Sequence, residues 1–247
     1  MHTAAAKRHY ETLLAPIYSW MLGDIDAALA RSAAELDDLR LPPAVDALAV
    51  DLGAGLGLHA AALAKRGFRV TAIDSSQVLL DELRLRCAAL PIIAVNADLK
   101  DFAQFVKSPP AVIVCMGDTL THLPSLAAAE NLLAAVAASL APDGVFAATF
   151  RDYASKALDG DQRFILVRAD EQRILTCFLE YQQAFVTVHD VLHERQHGVW
   201  QQRVSSYPKL RLAPEWVAAK LIEHGLAVSR DLSPSGMVRI KGVKRRP

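Results

Sequence analysis

The chain has 247 residues, 52% of them hydrophobic, and its 27 basic and 27 acidic side chains give a formal net charge of zero. Such a chain can bury a full core and is typical of a globular protein, neither disordered nor collagen-like. A near-neutral surface gives no long-range attraction to phosphate backbones, so a nucleic acid substrate is disfavoured. No apolar run is long enough to predict a membrane span.

The cysteines and the N-terminal sequence bear on location. Cys87, Cys115 and Cys177 are an odd number without metal-ligand spacing, as expected for small buried side chains in a reducing compartment. Residues 1–8 lack the apolar core of a secretory signal. We therefore expect a cytoplasmic protein, either a monomer or a homodimer.

The first forty residues predict two helices with a break between them. Apolar spacing indicates a first helix over Ala4–Ala15 that ends at Pro16, and a second helix that follows Asp24 as its N-cap. The break contains Tyr18 and Trp20. We expect residues 1–40 to form a helical lid.

From residue 41 to about 160, short apolar runs alternate with helical stretches. This order predicts βαβ units and a doubly wound parallel sheet whose ligand crevice lies at the carboxyl ends of the strands. The helices are expected over 58–65, 76–89 and 126–140. The predicted strands are Ala47–Asp51, Arg69–Asp74, Ile92–Asn96, Ala111–Met116 and Val145–Phe150.

The pattern changes after Arg151. Four segments near 162–169, 173–181, 184–194 and 199–206 are rich in β-branched and aromatic residues and are joined by short polar turns, which predicts antiparallel strands. A helix from Pro214 and a final strand over Met237–Val243 complete the chain, so residues 161–247 are expected to form an antiparallel insert plus a closing helix and strand. His189 and His193 lie in a strand pattern, where a spacing of four does not suit metal ligation, and no metal site is predicted.

The turn after the first strand is rich in glycine. Asp51 precedes Gly53, Gly55 and Gly57, and a helix follows directly. Bare glycine permits a tight turn and a close approach of ligand to backbone, so the turn predicts a nucleotide-type cofactor site. The dinucleotide fingerprint is G-x-G-x-x-G, whereas the spacing here is G-x-G-x-G.

This variant resembles the first motif of the class I S-adenosylmethionine-dependent methyltransferases. The run 116–123 after the fourth strand resembles the Gly-Asn/Asp-Ser-Leu-x-His-Leu stretch of the glycine N-methyltransferase-like branch, among small methyltransferase domains of types 25 and 11. The resemblance covers residues 10 to 153 by motif. It implies an α/β, Rossmann-like, seven-stranded sheet with an antiparallel β insert, S-adenosyl-L-methionine as cofactor and S-adenosyl-L-homocysteine as product.

The resemblance also assigns cofactor residues. Asp51 would support the amino group of the ligand, Asp74 would accept both ribose hydroxyls, and Asp98 would accept from the adenine amino group. An N-cap is the other interpretation of Asp74, and a solvated loop acid is that of Asp98. The aromatic residues of the break either pack against the core or cover the cofactor. The predicted cofactor-binding set is Tyr18, Trp20, Asp51, Gly53, Ala54, Gly55, Asp74, Ser75, Asp98, Leu99, Met116, Gly117 and Asp118.

Two residues have candidate roles toward the methyl acceptor. His122 could shuttle a proton as a catalytic base, or it could be structural. Arg151 could clamp a substrate carboxylate, or it could pair with Asp152 or Asp118. The predicted substrate-binding set is Tyr10, Arg151, Tyr153 and Tyr207.

These residues predict methyl transfer to a nitrogen or oxygen of a small molecule. The reaction needs mainly alignment and exclusion of water, with at most one general base. Two alternatives stay open: a nicotinamide-dependent oxidoreductase that uses the same sheet, and a non-catalytic protein that binds S-adenosylmethionine.

Overall fold

A computed structural model describes residues 2–42 and 46–246. Its centre is a seven-stranded sheet with the order β10-β11-β5-β4-β1-β2-β3, in which β1 to β5 are parallel and β11 pairs antiparallel with β5. This confirms the predicted fold class. The strands are β1 Leu48–Leu52, β2 Arg69–Asp74, β3 Ile92–Asn96, β4 Val112–Cys115, β5 Val145–Phe150, β10 Leu226–Leu232 and β11 Val238–Lys244.

Helices cover both faces of this sheet. Strands β4 and β5 are buried along their whole length, as expected for central strands with helices on each side. Alanine-rich helices lie close to the sheet because alanine leaves little bulk between helix and strand. The helices of this layer are α4 Leu58–Lys65, α5 Gln77–Arg86, α6 Leu126–Ser139 and α7 Pro214–Glu223.

The N-terminal segment differs from the expected helix, break and helix. The α-helix α1 spans His2–His9, and the chain continues through a π turn at Tyr10–Leu14, a 3₁₀ turn at Ala15–Ile17, α2 Tyr18–Leu22 and α3 Ile25–Asp37. Pro16 does not end the helical run, because it lies in the first turn of the 3₁₀ segment, where a backbone N–H is not required. Asp24 caps α3 as predicted, accepting from the Ala27 amide.

The segment after Arg151 forms a separate four-stranded antiparallel sheet, as predicted. Its order is β6-β7-β8-β9. Leu13, Leu14 and Ile17 of the N-terminal segment pack on its inner face against Leu175 and Leu192. The insert therefore holds the N-terminal helices beside the carboxyl edge of the main sheet. Its strands are β6 Phe164–Ala169, β7 Arg173–Tyr181, β8 Phe185–Gln196 and β9 Val199–Leu210.

Strand β10 was not among the predicted elements. It is an edge strand that pairs antiparallel with β11. The second half of the strand is exposed and mostly polar, so its sequence lacks an alternating apolar pattern. The expected domain boundary near residue 41 adjoins residues 43–45, which lie outside the described residues. Among the helices in the described ranges, none is long and apolar enough to cross a bilayer.

Candidate functional site

One cavity of about 610 Å³ opens at the carboxyl edge of the main sheet. Its volume is within the usual range for small-molecule and cofactor sites. Residues that follow β1, β2, β3 and β4 meet in its wall, as the parallel topology requires. Ten of the predicted cofactor residues line it: Tyr18, Gly53, Ala54, Gly55, Asp74, Ser75, Asp98, Leu99, Met116 and Gly117.

The glycine turn is fixed to the end of the neighbouring strand. The amides of Gly53 and Ala54 donate to the Ile73 carbonyl at 2.8 and 3.0 Å, and the Gly55 amide donates to Asp74 Oδ2 at 2.8 Å. Gly55 has a φ of +52°, and a Cβ added there would meet only Leu79 Cδ1 at 3.9 Å. Because Gly55 and Leu79 both line the cavity, the missing side chain leaves cavity space.

Asp74 lies at the end of β2 with a fixed carboxylate. Oδ1 accepts from the Ser76 amide at 2.8 Å, while Oδ2 accepts from Gly55. Burial raises the pKa of Asp74, and the backbone donors partly offset that rise. The helix N-cap is Ser76, whose side chain accepts from Leu79 N, so Asp74 is not the cap. Each carboxylate oxygen retains acceptor capacity toward the cavity.

The loop after β3 forms another part of the wall. Asp98 caps the 3₁₀ segment Leu99–Phe105, accepting from Lys100 N at 3.1 Å, and its other oxygen is 3.1 Å from Lys100 Nζ. It lines the cavity together with Asn96 and Leu99. Capping and cavity lining are thus combined in one partly exposed carboxylate.

Asp51 lies behind the glycine turn and does not itself line the cavity. It is buried, and its Oδ2 has no hydrogen-bond partner among the described residues. Burial raises its pKa to about 6, although His59 and the Ala60 amide act in the opposite direction. An unpaired buried carboxylate oxygen is costly unless a ligand or water satisfies it.

Helix α3 contributes a side of the cavity that sequence reasoning missed. Arg31, Ser32 and Glu35 line it, and Glu35 Oε2 is 3.0 Å from Nε2 of His59, the second residue of α4. Arg31 is exposed at the cavity and forms no ion pair within the described residues. The only available signal was that three polar side chains recur on one face of a helix predicted to cover the site.

His122 and Tyr10 line the cavity beyond Met116 and Gly117. Tyr10 Oη is 3.4 Å from His122 Nε2, and His122 Nδ1 is buried without a partner in the described part of the chain. Burial, followed by the charge of Lys209, lowers the pKa of His122 to about 3. The imidazole is therefore uncharged at neutral pH and is a weak base, which disfavours the predicted proton shuttle.

Asp118 faces away from the cavity, contrary to its predicted cofactor contact. It has a left-handed backbone with a φ of +75°, and its buried carboxylate accepts from the Arg151 amide at 2.9 Å, Arg151 Nη1 at 3.3 Å, Tyr153 Oη at 3.1 Å and Lys209 Nζ. Burial alone would raise the pKa of Asp118, but Lys209 and Arg151 lower it below its usual value. Arg151 and Tyr153 do not line the cavity either. The pairing of Arg151 with Asp118 is one of the two interpretations left open above.

Two further aromatic residues lie outside the cavity wall. The indole N–H of Trp20 donates to Asp170 in the β6–β7 turn, and its ring packs with Leu13 and Leu175 on the insert sheet. Tyr207 is buried behind His122, with the two rings stacked at 5.5 Å. Trp20 therefore packs against the insert rather than covering a cofactor. Tyr207 packs behind the part of the cavity wall that His122 forms.

The residues present fit an adenosyl ligand that carries an amino acid group. Asp74 and Asp98 offer carboxylate oxygens, and Gly55 leaves room against the backbone. The Asp51 oxygen that lacks a partner among the described residues can accept a hydrogen bond from the ligand or from a bridging water. His189, which was considered as a metal ligand, bonds instead to Ser206 and Glu180 on the strands beside β8. In the described residues, no group of three or more His, Cys, Asp or Glu side chains has the arrangement of a metal site.

Comparison with known families agrees with this geometry. The model of a methyltransferase domain family matches residues 49–144, which run from β1 to the turn before β5. No curated protein matches the chain significantly. Residues 49–144 are therefore a methyltransferase domain within this chain. The predicted family, enzyme class and cofactor are confirmed.

Solved structures show the same fold over nearly the whole chain. The CcbJ methyltransferase from Streptomyces caelestis is 20% identical with a TM-score of 0.76, and the comparison covers 96% of this chain and 98% of CcbJ. DesVI from Streptomyces venezuelae is 19% identical, with 95% and 100% coverage and a TM-score of 0.76. The sugar N-methyltransferase KedS8 from Streptoalloteichus sp. is 17% identical, with 91% and 89% coverage and a TM-score of 0.72. At these identities the likeness establishes the fold alone.

Gly55→Ala should separate backbone strain from cofactor contact. The left-handed backbone predicts a loss of stability of about 1–2 kcal/mol, and the added methyl group should weaken S-adenosylhomocysteine binding because it occupies cavity space. Gly198→Ala is the matched control, since Gly198 has a φ of +83° and open space around it in a turn of the insert. Calorimetry should show weaker binding only for Gly55→Ala, and equal binding by both variants would contradict the placement.

Proposed function

We propose that this protein methylates a nitrogen atom of a small molecule, and that an amine on a sugar-like acceptor is its substrate. The observation that carries the proposal is the single cavity in which the glycine turn, Asp74 and Asp98 are continuous with a pocket beside Tyr10 and His122. When bound, S-adenosylmethionine supplies the methyl group: the acceptor's lone pair forms the new bond to carbon as the carbon–sulfur bond breaks toward sulfur.

We assign the part of the cavity around the glycine turn, Asp74 and Asp98 to the cofactor and call it the cofactor end; the part beside Tyr10 and His122 is the acceptor end. Asp74 accepts the ribose hydroxyls with the lone pairs that Gly55 and Ser76 leave free, and Asp98 receives the adenine amino group. The ammonium group of the ligand satisfies Asp51 Oδ2 through water. Arg31, a cation without an ion pair in the described chain, receives the ligand carboxylate. Tyr18, Ala54, Ser75, Leu99, Met116 and Gly117 complete this end.

The acceptor end favours nitrogen over an alcohol oxygen. An alcohol must lose its proton as it attacks, and this needs a base matched to the operating pH. His122 is the candidate base, yet a pKa of about 3 makes it a poor one. An uncharged amine attacks through its lone pair and loses its proton afterwards. The pocket has apolar walls at Leu123, Pro124 and Met237, which favour the uncharged amine over ammonium.

A structural relative supports this choice. KedS8, which shares the fold over 91% of this chain, is a sugar N-methyltransferase. That activity belongs to KedS8, and it agrees with the electrostatics of the acceptor end here. The nicotinamide-dependent alternative has no support beyond a sheet type common to both families, while the domain match favours methyl transfer. A non-catalytic cofactor binder stays as the competing hypothesis.

The division of the chain stays as expected from the sequence. We propose a helical lid over residues 1–40, a cofactor-binding core over 41–160 and the insert with its closing elements over 161–247. The cysteines of the described chain are all free, which supports a reducing, cytoplasmic location. A monomer or a homodimer remains the prediction for the assembly.

Replacing Asp74 tests the ribose assignment. Asp74→Ala should weaken S-adenosylhomocysteine binding by roughly 1–3 kcal/mol, because hydrogen bonds to a charged group are lost. Asp81→Ala removes an exposed acid from the outer side of α5 and should bind as the wild type does. Isothermal calorimetry gives both affinities, and unchanged binding by Asp74→Ala would remove Asp74 from the site.

The protonation of Asp51 predicts a pH dependence of cofactor binding. Its folded pKa of about 6 means that the carboxyl is mostly protonated at pH 5 and ionised at pH 7. Because a ligand ammonium group favours the ionised form, affinity should rise as pH rises through 6, by about 10-fold from pH 5 to pH 7. Asp51→Asn should lose most of this dependence. Calorimetry at pH 5, 6 and 7 measures it, and the same slope in both proteins would contradict the role.

Paired acceptors test the proposed reaction. Each pair should consist of an amino sugar and the same sugar with a hydroxyl in place of the amine, incubated with methyl-labelled S-adenosylmethionine. Label is expected on the amine and not on the matched hydroxyl. Label on the hydroxyl would refute nitrogen methylation, while cofactor binding without label on any pair would favour the non-catalytic hypothesis.

A further inference from the structure

Lys209 is a buried cation on β9, in the insert sheet rather than in the cofactor-binding core. Its side chain is 7% exposed, and Nζ donates to Asp118 Oδ2. It also lies 5.9 Å from the ring centroids of Tyr153 and Tyr207. It does not line the cavity, so it has no direct part in the reaction described above. A buried lysine is rare unless it is paired, and this one is paired with a carboxylate beside the acceptor pocket.

Asp118 connects Lys209 to the acceptor end. It is the residue before the 3₁₀ turn Thr119–His122, which carries His122 at its last position. Thr121 Oγ1 donates to the Asp118 carbonyl at 2.7 Å and lies 3.2 Å from Oδ1. The Asp118 amide donates to the Thr149 carbonyl at 2.9 Å. Fixing the Asp118 carboxylate therefore fixes the start of the turn and the position of His122.

We propose that Lys209 is a positioning residue of the acceptor pocket, acting through Asp118 on the turn that carries His122. Lys209 ties that turn to the insert sheet. The role of the pocket rests on the proposed function, whereas the link from Lys209 to His122 can be measured without turnover.

The charges around Asp118 give the link an electrostatic consequence. Two cations, Lys209 and Arg151, face one carboxylate, so positive charge remains in excess in its immediate shell. Lys209 therefore opposes protonation of His122, and Asp118 favours it. The titratable or charged groups around the imidazole are Tyr10 from the π turn, His9 from α1, Tyr207 and Lys209 from β9, Asp118 from its own turn, and Arg151 and Tyr153 through Asp118.

Neutral substitutions of the two oppositely charged residues, Lys209 and Asp118, test the link. Both Lys209→Met and Asp118→Asn break the ion pair, and a purely structural role would loosen the turn similarly in both. The electrostatic link predicts opposite signs: Lys209→Met should raise the pH at which His122 titrates by about one unit or more, and Asp118→Asn should not raise it. NMR of protein with ¹³C-labelled histidine, bound to S-adenosylhomocysteine, follows the titration from pH 3 to 7, with His122→Asn identifying the signal.

Further variants keep the test decisive if Lys209→Met does not fold. Arg151 is 61% exposed, so Arg151→Met should retain the fold and shift the His122 signal in the same direction by a smaller amount. In the acceptor assay, Lys209→Met should lower kcat at least 10-fold while S-adenosylhomocysteine affinity stays unchanged. A His122 signal that coincides with the wild type in folded Lys209→Met and in Arg151→Met would overturn the proposal. Failure of every amine acceptor would contradict only the proposed function.

Discussion

The attachment of the glycine turn to the end of β2 is the constraint on which the site depends. Three successive amides, those of Gly53, Ala54 and Gly55, donate to acceptors at Ile73 and Asp74. A turn fixed in this way presents its backbone to the cavity without reorganising when a ligand binds, which preserves binding energy that ordering would otherwise cost. The same bonds orient the Asp74 carboxylate, so turn and acid are positioned by one interaction.

The insert sheet and the N-terminal segment that packs on it enclose a side of the cavity that the parallel sheet does not cover. Strand ends alone would leave the cavity open to solvent on the side of β4 and β5. There the insert packs against the N-terminal segment through Leu175 and Leu192, and that segment brings Tyr10 and Tyr18 into the cavity wall. The buried cluster around Asp118 joins residues that follow β4, residues that follow β5 and strand β9. Through this cluster the insert sheet and the core share one buried ion pair, Lys209 with Asp118, and replacing either partner would leave a buried charge without its partner.

Sequence reasoning located residues along strands but not the direction of their side chains. The periodicity and glycine spacing sufficed to predict the parallel core and the insert, while the resemblance to the methyltransferases pointed to Asp74 and Asp98 as site residues. The direction of the Asp118 side chain depends on a left-handed backbone conformation, which is uncommon outside glycine and which no local sequence pattern predicts. Trp20 reaches Asp170, 150 positions away, and this contact depends on how the insert folds back. Arg31 was missed because its helix packs beside the site rather than ending there.

The charges of the cavity are unevenly distributed between its ends, and this bears on the chemistry. Asp51 and Asp74 place carboxylates at the glycine turn, where a ligand ammonium group would be stabilised. At the other end the imidazole of His122 is partly buried and uncharged, and the nearest buried charge pair, Lys209 with Asp118, lies beside a second cation, Arg151. A positively charged acceptor would gain little there, whereas an uncharged amine would keep its lone pair free for attack. For the amine acceptor proposed above, an ammonium form would therefore have to lose its proton on entering the pocket, before the lone pair attacks.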